Sequence, residues 1–157
     1  DHGGGERMAG ASNQLSRLFG GVNDKFIRKP RSLANLQVTA LPLPRRVIDA
    51  ELPLAWEQDI GPRSYRFTVT YNQVGDFFTL AIALLPMGDE LLRPTPFIYL
   101  TDLLADYQHI AHLRGVHIVP ANLASPWRHL GEGITTENFG NAIKAWYVFK
   151  PGEVPGL

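Results

Sequence analysis

Residues 65–85 read YRFTVTYNQVGDFFTLAIALL, and the first half alternates without interruption. Tyr65, Phe67, Val69 and Tyr71 take every second position with Arg66, Thr68 and Thr70 between them, which predicts a strand with one buried face. Turn-forming residues from Asn72 to Asp76 lead into Phe78, Leu80, Ile82 and Leu84. The residues between these, Phe77, Thr79, Ala81 and Ala83, are small or apolar, so both faces of the second strand can be covered. A Gly88-Asp89 turn and a short apolar strand over 96–100 follow. From Thr101 the period changes to that of a helix, with Leu103, Leu104, Tyr107 and Ile110 on one face, Asp102, Asp106 and Gln108 outside, and Gly115 as the stop. Strands return at 116–119 and at 143–149, where Ile143, Ala145, Tyr147 and Phe149 share a side. The segment PANLASPWRHLGEG is loop by composition, TTENFGN a tight turn, and the tail KPGEVPGL extended.

The pattern is weaker ahead of residue 62. Leu15, Leu18, Phe19 and Val22 fall at helical spacing behind the cap Ser12, and Gly20 and Gly21 break the run. A helix this short is marginal alone, because isolated helices below about 12–15 residues seldom overcome nucleation. It must pack on its own domain or on a neighbour. Pro30, Pro42, Pro44, Pro53 and Pro62 then exclude long helices and confine strands to edges or ends. We expect extended segments and up to two short strands there. The fold class is therefore mostly β or α+β: a small antiparallel β-barrel or sandwich with one embedded helix and an extended N-terminal arm. The expected division is an arm over 1–62, a β-rich core over 63–150 and a tail over 151–157.

Composition narrows the chemistry. At 157 residues the chain suits one core. It has no cysteine, which excludes disulfides, thiolate nucleophiles and Cys-based zinc sites. Apolar runs fall far short of the ~18–20 residues that span a bilayer, so no membrane insertion is expected. The zero net charge hides an asymmetry: residues 1–50 hold eight Lys/Arg against four Asp/Glu, and residues 51–157 hold seven against eleven. Opposite-sign segments suit contact between copies of the chain or a basic arm laid on another protein; the plainer account is an extended polar arm that happens to be basic. No dense basic run or binding motif argues for nucleic acid.

Each candidate for chemistry has a structural account beside it. His109 and His112 stand three apart, with His117 following, but no carboxylate sits at a spacing that completes a zinc site. Asp102 and Asp106 share one helical turn, where they complement the helix dipole better than they would flank a glycosidic bond. No nucleophile elbow, phosphate loop or dinucleotide fingerprint occurs. Catalytic, cofactor and metal residues are therefore expected to be none. Aromatics at strand period are mostly core, but Trp127 sits in a loop rich in Pro, Ser and His and is the best exposed anchor. Trp127 and the strand aromatics also support an alternative reading, a carbohydrate- or cell-wall-binding module.

FTVTYNQVGDFFTLAIAL, LTDLLADYQHI, VHIVPANL and TTENFGNAIKAWYVF, taken in order, resemble small baseplate proteins of contractile-tailed bacteriophages described as plug proteins. The resemblance covers roughly 65–150. It implies a small β-rich structural virion protein around the tail tube and hub, assembled in the host cytoplasm and located in the tail baseplate. Its implied partners are other baseplate and tail proteins and copies of itself, with no small-molecule substrate and no catalytic residues to carry over. An interaction protein needs only complementary surface, about 800 Å² per partner. The expected contact residues are Leu15, Leu18 and Phe19 on the short helix, Arg45 and Arg46 as carboxylate-binding guanidinium forks, and Trp127. On this reading the arm orders on association; the alternative is an intramolecular flap over an open sheet edge.

Overall fold

The computed structural model describes residues 36–154. Seven strands occur there: β1 (Gln37–Ala40), β2 (Leu54–Ile60), β3 (Arg63–Asn72), β4 (Phe77–Leu84), β5 (Asp89–Pro96), β6 (Val116–Ala121) and β7 (Lys144–Phe149). They form two antiparallel sheets, one in the order β2-β3-β4-β5 and one in the order β1-β7-β6. The sheets stay open and separate, so the sandwich alternative holds and the closed barrel does not.

The β3–β4 hairpin follows the sequence alternation. Tyr65 lies opposite Leu84, Phe67 opposite Ile82, Val69 opposite Leu80 and Tyr71 opposite Phe78, which sets the large apolar groups on one face. Asn72 closes the turn by accepting from Gly75 N through Oδ1 at 2.8 Å and from Asp76 N through its carbonyl at 2.7 Å. Phe67, Val69, Leu80, Ile82 and Leu92 of the larger sheet share one buried cluster with Val116, Ile118 and Ala145 of the smaller. Leu104 is buried in it, and Tyr147 packs on its margin. Phe139 fills the core between Phe78 and Phe97, its ring 4.9 and 5.0 Å from theirs. Val119, Ala121 and Val148 form a second small cluster with Val38, Leu100, Leu123 and Trp146 on the other side of the smaller sheet.

Four expectations are corrected. The helix read from Thr101 onward is absent: residues 101–115 hold two single 3-10 turns, Ala105–Tyr107 and Ala111–Leu113. Side chains take the backbone groups that a helix would pair. Asp102 Oδ1 accepts from the amides of Leu104 (2.9 Å) and Ile118 (3.0 Å), and Leu103 N donates to Ile118 O. Gln108 Nε2 reaches the carbonyls of Leu104, Leu113 and Val116, while its Oε1 accepts from Gly115 N. The strand expected at 96–100 lies earlier, as β5 on β4, with Pro94 and Pro96 tolerated because β5 is an edge. The tail is not extended at its start: Glu153 N turns back to Lys150 O, and Val154 is buried.

The fourth concerns residues 36–62, which are woven into the sheets instead of standing off as an arm. β1 pairs with β7, and β2 pairs with β3 across a turn at Gly61-Pro62. Leu41, Val47 and Ile60 are buried in the main core. The prolines bound these strands without preventing them: β1 ends before Pro42, and β2 fits between Pro53 and Pro62.

Candidate interaction surfaces

The loop between β6 and β7 carries a rigid, partly apolar projection. Its 3-10 turn, Pro126–His129, and the next residue leave Trp127 54% and Leu130 56% exposed. Three residues is the repeat of a 3-10 turn, so the two emerge on the same side. Polar side chains anchor the turn from beneath. Tyr99 Oη donates to Pro126 O at 2.7 Å and accepts from Asn122 N at 3.3 Å; burial pushes its pKa up, keeping the phenol neutral as a donor. Asn122 Oδ1 accepts from Ser125 N, and its Nδ2 lies 3.1 Å from His129 Nε2. His129, itself buried, turns Nδ1 to Glu132 Oε1 at 3.2 Å and meets the Tyr99 ring edge-on. These contacts hold the loop, so the arrangement presents Trp127 and Leu130 on a braced turn.

A second surface lies where residues 40–50 meet 137–144. A cavity of about 470 Å³ is lined by Leu41, Arg45, Gly140, Asn141 and Lys144 among others. An adjoining hollow of about 550 Å³ shares Arg45 and Asn141 and extends to Arg46 and Asp49. The wall is fixed. Val47 N donates to Phe139 O, and Asn141 Nδ2 donates to Arg45 O at 3.1 Å and Glu137 O at 2.9 Å. Gly140 has φ +108°, and a Cβ there would stand 2.3 Å from Pro44 O, so only glycine permits the two segments to lie this close.

The two arginines expected as charged anchors face different surroundings. Arg46 binds within the chain, with Nη1 on Asp49 (2.9 Å) and Nη2 on Glu137 (2.7 Å); hydrogen bonds to Asp49 and then Glu137 hold its pKa above the ordinary value. Arg45 is exposed on the cavity and has no ion-pair partner among the described residues. Leu15, Leu18 and Phe19 lie outside the described residues. Asp102 binds His117 Nδ1 through Oδ2 at 2.6 Å and does not act as a helix-end charge, because there is no helix. Among the described residues no group of three His, Asp or Glu side chains gathers as a metal site does. Tyr65 and Phe67 are buried, and Trp146, half-buried, packs on the second cluster and gives its indole N–H to Ala121 O. Lys144, absent from the sequence-derived set, reaches the same cavity as Arg45 only through the fold; no local signal marks it.

The profile of the family described as cyanophage baseplate Pam3 plug gp18 matches residues 47–150. The chain belongs to this family. It is a bacteriophage baseplate plug protein, a structural protein of the virion located in the tail baseplate. The matched span holds β2 to β7 and the Trp127 loop, whereas β1 and Arg45 precede it. No curated protein matches the chain in sequence.

Proposed function

We propose that this plug protein is a non-enzymatic component of a contractile tail, held in the baseplate by contacts to neighbouring baseplate and tube subunits and to copies of itself. The family match over residues 47–150 carries this reading. The described surface supports it: Tyr99, Asp102 and Gln108 hold backbone groups around the Trp127 loop and residues 101–118, while Trp127 and Leu130 project from a braced turn. A rigid exposed Trp is the kind of residue that dominates protein interfaces. Trp127 and Arg45 are the contact residues we assign among the described ones, together with Leu15, Leu18 and Phe19 outside them.

Mass spectrometry of purified particles, with density located in the baseplate by electron microscopy, tests the assignment. The expected result is the protein in mature virions and a marked loss of its incorporation in Trp127→Ala. Absence of the wild-type protein from mature particles overturns the reading. Glycan or peptidoglycan binding that vanishes in Trp127→Ala while incorporation is unaffected overturns Trp127 as a subunit contact and assigns the loop to carbohydrate binding instead.

A further inference from the structure

We infer that the cavity lined by Arg45 and Lys144 receives a carboxylate-bearing peptide segment of a neighbouring subunit. This rests on the plug reading above and names the chemistry of one contact.

Charge is the first ground. Two cations, Arg45 from the segment after β1 and Lys144 at the start of β7, line one hollow of about 470 Å³, and neither has an ion-pair partner among the described residues. The contrast with Arg46 is immediate, since Asp49 and Glu137 already neutralise that neighbouring guanidinium. Acidic groups are therefore at hand on this side of the molecule, and they serve Arg46 while the cavity keeps its positive charge.

Rigidity is the second. The Arg45 carbonyl is held by Asn141, and the neighbouring Pro44 carbonyl lies against Gly140 at a separation that only glycine allows. The backbone that presents the guanidinium is thus fixed before binding, which lowers the ordering cost of association. An arginine so placed binds a carboxylate through two parallel N–H donors, and a lysine adds a point charge.

The shape and charge favour peptide over nucleic acid. Two cations set in a hollow suit one or two carboxylates on a loop, whereas a phosphate backbone calls for a longer row of Lys and Arg along a surface.

The test uses the full chain, with hexaglutamate peptide and a dT oligonucleotide of matched charge as probes, and with Arg45→Glu, Lys144→Glu and the milder Arg45→Met and Lys144→Met as variants. Thermal melting first confirms that each variant is folded; the Met pair serves if a charge reversal is not. We expect hexaglutamate binding to weaken about tenfold in each Glu variant and less in each Met variant, and to fall with salt as an exposed ion pair does. Incorporation into particles should fall in parallel. Hexaglutamate binding that is unchanged in both sets of variants overturns the inference. So does an oligonucleotide affinity equal to or greater than that for hexaglutamate, with the same dependence on Arg45 and Lys144. Either outcome leaves the plug reading intact if the wild-type protein is found in virions. Wild-type absence from virions sinks the plug reading, and the peptide measurement then still reports on the cavity.

Discussion

Asp102 does the work that the sequence pattern assigned to a helix. Its carboxylate, with the side chain only 6% exposed, joins the amides of Leu104 and Ile118 and the ring of His117, and so ties the segment after Leu100 to β6. Asp102→Ala leaves two backbone donors without their acceptor and should cost about 2–3 kcal/mol in urea unfolding, since an unsatisfied buried donor loses its full desolvation energy. Asp102→Asn keeps an oxygen acceptor and should cost roughly half as much. Equal effects for the two would mean that the amide bonds are not what matters there. Tyr65 offers a second test through pH. Its hydroxyl donates to the carbonyl of His112 at 2.8 Å, and burial raises its pKa above the ordinary 10.0. A folded-state pKa above the unfolded one means that the folded chain holds the proton more tightly. The stabilisation is full below the unfolded value and is lost as pH rises through the folded one. Tyr65→Phe should therefore be less stable than wild type by about 1 kcal/mol near neutrality. The gap should close as pH rises past 10, and a gap constant with pH would refute the assignment.

At the scale of elements, what was legible depended on whether local pattern or distant partners decided the conformation. The β3–β4 hairpin was legible because strict alternation leaves one register that buries Phe67, Val69, Leu80 and Ile82 together. Leu80→Ala or Ile82→Ala should cost about 2–5 kcal/mol in denaturant melts, and a near-neutral result would contradict the observed burial. Residues 101–115 misled for the opposite reason: Leu103, Leu104, Tyr107 and Ile110 have helical spacing, but Asp102 and Gln108 capture backbone groups that local propensity cannot foresee. The up to two short strands expected among the prolines are β1 and β2, both at sheet edges. What local pattern did not reveal is that they belong to the core: Leu54, Trp56, Gln58 and Ile60 alternate with Ala55, Glu57 and Asp59, but only the pairing of β2 with β3, and of β1 with the distant β7, builds these strands into the sheets. For the candidate surfaces, Trp127 stood out from its loop composition, whereas the meeting of Arg45 with Lys144 exists only after β1 has paired with β7. Gly140 joins those two segments. Gly140→Ala should be destabilising both through its φ of +108° and through the collision with Pro44 O, and it should weaken hexaglutamate binding as well. A stable Gly140→Ala protein that binds hexaglutamate like wild type would show that the close approach is not needed.

For the molecule as a whole, the decisive question is where the folding unit starts. A core beginning near residue 63 would treat everything before it as an attachment device, but the structure makes residues 36–62 internal. Removing them would strip β7 of one partner strand and β3 of another, and would take Leu41, Val47 and Ile60 out of the main core. Burial of a large aliphatic side chain contributes about 1.5–3 kcal/mol, so the three together approach the whole net stability of a small domain, about 5–15 kcal/mol. The wall of the Arg45 cavity would go as well, because Gly140 and Asn141 pack on the backbone of Pro44 and Arg45. A chain starting at residue 63 should therefore show no cooperative urea transition, while the full chain does. Limited proteolysis of the full chain should leave a resistant fragment that retains residues 36–62, because backbone paired in sheets opens only with the core. A chain starting at residue 63 that melts cooperatively with unchanged midpoint would show that β1 and β2 are accessories after all. If they are integral, neighbouring subunits must be met by side chains that this framework holds outward, and Trp127, Leu130, Arg45 and Lys144 are those for which the structure supplies a rigid mount.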